Sequence, residues 1–226
     1  MVATTTEPVL EARDLYRFYH SGDSETLALR GVSLAVARFE FIAVTGPSGS
    51  GKSTLLAALA GLDDPDGGAV MVDGRRMTRR SHAERSAIRA ESIGMLFQSD
   101  NLLEHLDIAQ NIAIVQRLVR RRVSQTRPIA LLERFGLAHR AHARPSQLSG
   151  GELARASLAV ALANDPPILL ADEPTGELDE AATGVVLEGL TSLAAGGRAV
   201  VVVTHSRRVA GVADREIRLR DGKVVV

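Results

Sequence analysis

A chain of 226 residues is long enough for one large domain or two small ones, with a sizeable core in either case. Lys+Arg and Asp+Glu each number 27, so the formal net charge is zero, which disfavours nucleic acid as a partner because its binding face usually makes a domain basic. Cysteine is absent, which excludes disulfides, thiolate metal sites and cysteine nucleophiles.

In chain order, residues 1–7 read as a short disordered lead. Met1–Pro8 has neither the basic region nor the apolar stretch of a signal peptide, and no later run approaches the ~18 apolar residues of a membrane span, so the expected compartment is the cytoplasm. Val9–Leu15 and Val32–Val36 alternate like strands, with a polar loop over 20–25 between them. Phe39–Thr45 reads as a buried strand and Leu55–Ala60 as a helix. Ala69–Val72 is a strand ending at the Asp73-Gly74 turn. Residues 81–90 are predicted helical and 93–97 a strand. Residues 106–163 are mostly helical, broken near Pro128 and at Arg144-Pro145-Ser146. Strand and helix then alternate, with a buried strand at 168–171, a helix over 180–195 and a buried strand at 199–203. Residues 217–220 and 223–226 close a hairpin around Asp221-Gly222. A β-rich start thus precedes a parallel α/β core carrying a helical insertion of about 60 residues.

Between the strand at 39–45 and its helix lies Gly46-Pro47-Ser48-Gly49-Ser50-Gly51-Lys52-Ser53-Thr54, a G-x-x-x-x-G-K-S phosphate-binding loop (P-loop). Its glycines let backbone N–H groups approach phosphates, and the helix N-terminus behind them favours anions. Lys52, one of two lysines in the chain, supplies a compact ammonium for the β- and γ-phosphates. A glycine turn with no ligand is the plainer reading, and the strand–loop–helix context weighs against it. About 100 residues on, Ile168–Ala171 delivers Asp172 and Glu173 to the same sheet edge. Ser53 and Asp172 together suit Mg²⁺, which prefers oxygen ligands, and Glu173 is placed to polarise an attacking water. Leu148-Ser149-Gly150-Gly151-Glu152 reads as an N-capped helix start whose glycines expose N–H groups, a second anion site. Alone, that segment would be an ordinary capped helix.

With these motifs in this order, the chain resembles the ATP-binding-cassette ATPases along nearly its whole length. The resemblance implies an α/β fold of P-loop NTPase type over residues 8–226, with an N-terminal antiparallel β subdomain and an inserted helical subdomain at roughly 99–163. It implies hydrolysis of ATP to ADP and phosphate with Mg²⁺. Gly46, Ser48, Gly49, Ser50, Gly51, Lys52, Ser53 and Thr54 then hold the phosphates. Tyr19 matches the aromatic that stacks on adenine, with Tyr16 and Phe18 as neighbouring candidates. Gln98 matches the glutamine that contacts Mg²⁺ and the attacking water, Asp179 the aspartate following the acid pair, and His205 the histidine that contacts the γ-phosphate. Each nucleotide is sandwiched between the P-loop of one copy and Ser149, Gly150 and Gly151 of another, which implies a homodimer. Position 152 is Glu where the commonest signature has Gln. A first-turn acid suits the helix dipole but lies near a phosphate, and Ser149 with the backbone N–H groups is expected to carry the anion contact.

Phe97–Leu106 with Asn111, and Ala171–Asp179, resemble the macrolide-export, lipoprotein-release and cell-division group, although Asp107 replaces an expected threonine. This implies a transmembrane partner with few spans and a large extracytoplasmic domain, docked over roughly 99–116, and a place on the cytoplasmic face of the cell membrane. The alternative is a regulatory ATPase that signals through a membrane partner to an extracytoplasmic enzyme and transports nothing. His139 and His142 have no partner at a metal-ligand spacing and are expected at the solvated surface. Arg117, Arg120, Arg121 and Arg122 are expected to form a solvated basic face.

Overall fold

The computed structural model describes residues 7–21, 24–99, 101–119, 126–176 and 178–225. Its strands are β1 (Leu10–Ser21), β2 (Ser24–Val36), β3 (Phe41–Thr45), β4 (Gly67–Val72), β5 (Arg75–Arg76), β6 (Ile93–Leu96), β7 (Ile168–Asp172), β8 (Ala199–Val203), β9 (Arg215–Arg220) and β10 (Lys223–Val225). Its helices are α1 (Lys52–Leu59), α2 (His82–Ser92), α3 (Ile108–Arg117), α4 (Thr126–Arg134), α5 (Gly150–Ala161), α6 (Glu180–Ala195) and α7 (Arg207–Val212).

Two sheets organise the molecule. One is four-stranded and antiparallel, in the order β2-β1-β4-β5. The other runs β10-β9-β3-β8-β7-β6; β9, β3, β8, β7 and β6 are mutually parallel, and β10 pairs antiparallel at the edge. The period-2 alternation of a strand divides the central apolar runs between two cores. Ile42, Val44, Ile168, Leu170, Val201 and Val203 face α1 and the antiparallel sheet. Phe41, Leu169, Ala171, Val200 and Val202 face α5, α6 and α7. Burial on both faces explains why these strands read as continuous apolar runs.

β1 and β2 are much longer than the two alternating stretches implied, because their distal halves pair by backbone while carrying Arg17 and Arg30. Residues 22 and 23 of the expected loop, residues 1–6 of the expected lead and Arg120, Arg121 and Arg122 lie outside the described residues. Phe39 corrects the sequence reading. It has φ +66° and is 65% exposed, so it belongs to the turn before β3 rather than to the buried strand. The six-residue α7, capped by Ser206, was not anticipated.

The helices between β6 and β7 have a core of their own, built from Ile108, Ile112, Leu132, Leu137, Ala156 and Ala159. Asp107 caps α3, its carboxylate accepting from the Gln110 N–H at 2.7 Å, a role that threonine can also fill. Asn111 is buried and ties the preceding turn together; it accepts from the Leu103 N–H at 2.7 Å and donates to Leu103 O and Asp107 O. Among the described residues no helix is long and apolar enough to cross a membrane.

Candidate functional site

Between β3 and α1 the chain makes three left-handed turns, at Gly46 (φ +152°), Gly49 (+76°) and Gly51 (+99°). Two of these glycines are required by close approach of backbone. A Cβ at Gly46 would lie 2.1 Å from Leu219 O, and one at Gly51 would lie 2.4 Å from Ala28 O. A Cβ added at Gly49 would meet nothing within 4 Å among the described residues. The loop is braced from the C-terminal hairpin: Gly222 N–H donates to Ser50 O at 3.1 Å, and Arg30 N–H donates to Gly222 O at 2.8 Å. α1 has no side-chain cap and no acid in its first turn, so its N–H groups and dipole point unopposed at the loop. Lys52 Nζ lies back over the loop and donates to Gly46 O at 2.9 Å and Pro47 O at 3.0 Å.

The loop forms the floor of an open cavity of about 840 Å³. Tyr19, Asp172, Glu173 and His205 also line it. The residues fit a nucleoside triphosphate with Mg²⁺. Among the described residues the Ser50 hydroxyl is buried without a partner, the Gly49 backbone is open, and Ser53 lies beside Asp172, offering two oxygens that suit a divalent cation. Burial pushes the Asp172 carboxyl above the ordinary aspartate range, and the nearby Glu173 charge adds to it. The Ser53 hydrogen bond and the Lys52 charge oppose that rise.

Glu173 sits at φ +44°, a left-handed conformation that costs a non-glycine residue energy and is held by its surroundings. Its N–H donates to Val203 O at 2.9 Å. One carboxylate oxygen accepts from the Thr204 hydroxyl at 3.0 Å and the His205 N–H at 3.3 Å; the other lies 2.7 Å from His205 Nδ1. The Glu173 side chain is 16% exposed and that of His205 74%, so the acid is fixed from below while the imidazole opens to the cavity.

Of the three neighbouring aromatics, the structure puts Tyr19 at the cavity. Tyr16 instead packs its ring against Gly31 and Gly67, and Phe18 does not line the cavity. Tyr19 is anchored by its hydroxyl to Asp63 at 3.2 Å, and the Arg17 guanidinium lies 4.9 Å from its ring centroid. Arg17 in turn grips Asp63 through two bonds of 2.8 Å. Sequence reasoning missed Thr204, named only as the residue before His205, and also Thr26, Ala28, Arg30, Asp221 and Gly222, which line the cavity from the β1–β2 and β9–β10 hairpins.

Gln98, Ser149, Gly150, Gly151 and Asp179 lie outside this cavity. Gln98 follows β6 with its amide beside Gly176, and shares a separate cavity of about 310 Å³ with Gly150, Leu102 and Pro174. Asp179 caps α6, accepting from the Ala182 N–H at 2.7 Å. Ser149 caps α5 in a reciprocal box: its hydroxyl accepts from the Glu152 N–H at 3.3 Å, and the Glu152 carboxylate accepts from the Ser149 N–H at 2.9 Å. That bond, with the Arg140 guanidinium, holds the Glu152 carboxyl down at about 2. His139 and His142 are exposed and sit beside carboxylates, 3.9 Å from Glu152 and 3.3 Å from Asp107.

Comparison with known proteins agrees with this geometry. The family model described as ABC transporter matches residues 29–176. The chain is 41% identical over 222 residues to a macrolide export ATP-binding/permease protein of Hyphomonas neptunium, covering 97% of this chain but 34% of that protein. The chain therefore spans about a third of the length of several curated relatives it matches. It is also 41% identical over 218 residues to an uncharacterized ABC transporter ATP-binding protein of Thermotoga maritima, covering 96% of this chain and 93% of that one. Among solved structures it superposes on a dimeric bacterial ABC transporter cassette with a TM-score of 0.86 at 36% identity, covering 96% of this chain and 97% of that one. A cassette in a post-hydrolysis state bound to ADP and Pi gives the same TM-score at 35% identity, with the same coverage.

Proposed function

Because this chain belongs to the ABC transporter family and is an ATP-binding-cassette ATPase, we propose that it is the ATP-hydrolysing subunit of a membrane complex. Two copies close on two ATP molecules and pass that motion to transmembrane partners. The observation that carries the proposal is the separation of its phosphate-binding parts. Lys52, Asp172, Glu173 and His205 line one cavity, while Ser149 caps and Gly150 and Gly151 begin a helix outside it. One copy therefore holds two halves of different sites.

In the closed pair Lys52 exchanges its two carbonyl partners for β- and γ-phosphate oxygens, and Tyr19 stacks on the adenine. Ser53 and Asp172, with Gln98 from the end of β6, would hold Mg²⁺, which would supply positive charge across the transferring phosphoryl group. Glu173 orients the attacking water, and His205 turns from Glu173 toward the γ-phosphate. Ser149, Gly150 and Gly151 of the second copy complete the anion cage, and Asp179 lies at the seam. The partner is a membrane protein on whose cytoplasmic side residues 99–116 dock. The relatives named for macrolide export favour an export or extraction role.

Mixed dimers test this. Lys52→Ala disables the P-loop and Ser149→Arg the signature, so each variant alone is expected to lack activity. A mixture forms pairs with one intact composite site, and ATPase activity should return. No recovery on mixing, with both variants folded, would overturn the two-copy reading.

A further inference from the structure

Resting on that two-copy reading, we infer that Arg140 is a positioning residue for the second anion site. It holds the Glu152 carboxylate folded back against α5, so that the partner's γ-phosphate meets Ser149, Gly150 and Gly151 rather than a free negative charge. Glu152 is the third residue of α5, one turn from the helix end that must accept a phosphate. Both its oxygens are engaged. One accepts from the Ser149 N–H at 2.9 Å, and the other from Arg140 Nε at 2.9 Å. The Glu152 side chain is only 14% exposed, against 43% for Arg140, so the guanidinium covers the acid from the solvent side.

Arg140 is held in place from elsewhere in the helical block. It ends a short 3₁₀ turn, Ala138–Arg140. The next residue, Ala141, is buried, and its carbonyl and that of Ala143 accept from the Ala109 and Ile108 N–H groups at the start of α3. The charge on Arg140 thus arrives on a braced turn, and the acid cannot swing toward the helix axis without breaking a charge-assisted bond. An uncompensated carboxylate there would oppose phosphate across the dimer seam, where like charges strongly disfavour association. A neutral glutamine at 152 would keep the reciprocal cap and need no such partner.

The test uses the full chain carrying Glu173→Gln, with light scattering to follow ATP-driven dimerisation. That parent should dimerise; if it does not, the two-copy reading itself fails. Adding Arg140→Ala should raise the ATP concentration for half-maximal dimerisation about tenfold, while ATP affinity of the monomer is retained. Adding Glu152→Gln to Arg140→Ala should restore dimerisation to within about twofold of the parent, and Arg140→Lys should lie between. A merely structural role for Arg140 would lower thermal stability and would not be rescued by removing a charge at 152. Dimerisation of the Arg140→Ala protein at the parent's ATP concentration, or a defect that Glu152→Gln leaves in place, overturns the inference.

Discussion

His205 Nδ1 lies 2.7 Å from a Glu173 oxygen, 32 positions away in sequence, so the base and the γ-phosphate sensor of the proposed mechanism form a closed pair. The second Glu173 oxygen is held by the buried Thr204 hydroxyl. Contact with a γ-phosphate would draw the imidazole away while leaving the acid seated on Thr204, its free oxygen turned toward water.

Glu173→Gln keeps the Thr204 contact and the shape of the side chain but removes the base. ATP hydrolysis should fall by about 10²–10⁴-fold, with ATP affinity preserved and an ATP-bound dimer accumulating. Phosphate release together with light scattering checks this. Normal phosphate release would remove Glu173 from the role of base.

Lys52→Ala should lose nucleotide binding and not only turnover. The lysine already bends over the loop onto Gly46 O and Pro47 O, so its ammonium lies where the β- and γ-phosphates would be received. Equilibrium titration with ATP reads the effect; unchanged affinity would count against the P-loop assignment.

Two glycines of the same loop should respond differently. Gly46→Ala drives a methyl into Leu219 O and should destabilise the fold by about 3–5 kcal/mol. Gly49→Ala meets no atom and should cost only the strain of its φ, roughly 1–3 kcal/mol, while its methyl faces the phosphate cavity. Thermal melts and ATP titrations on both variants should therefore show stability lost more at position 46, and binding lost out of proportion to stability at 49.

Asp172 makes stability depend on pH. Its carboxyl is raised by burial, so the folded chain binds a proton more readily than the unfolded one. Stability then falls as pH rises from the ordinary value of 3.8 through the raised folded value, and the penalty is fully present above both. Asp172→Asn should raise Tm at neutral pH, with the advantage shrinking as the pH drops toward 4, and should lose Mg²⁺-dependent hydrolysis. Melting curves across pH 4–8 (about that range suffices) check the sign.

The sequence was most legible where one local rule decides the outcome. The apolar runs at 168–171 and 199–203 are buried on both faces, so their composition alone marks them as strands. The helix over 180–195 was legible with its observed bounds, while its Asp179 cap emerged only with the structure. The distal halves of β1 and β2 were hidden because Arg17 and Arg30 break the alternation, and pairing across the hairpin, rather than side-chain pattern, makes them strands. α7 is too short to show a helical period. The phosphate loop is a local motif and could be read directly. The Tyr19–Asp63–Arg17 anchor, the Thr204 seat under Glu173 and the Gly222 brace arise between residues tens of positions apart or more, and no spacing in the chain announces them.

That brace also sets an order of events in the making of the protein. Gly222 supports the phosphate loop through Ser50 and is itself held by Arg30, yet it is translated far later than either. At about 5–20 residues per second, a ribosome leaves the loop without its prop for on the order of ten seconds or longer. A nascent chain therefore carries the whole nucleotide motif before it can hold that motif in shape. The β9–β10 hairpin is thus the last part of the chain that the brace on the phosphate loop has to wait for.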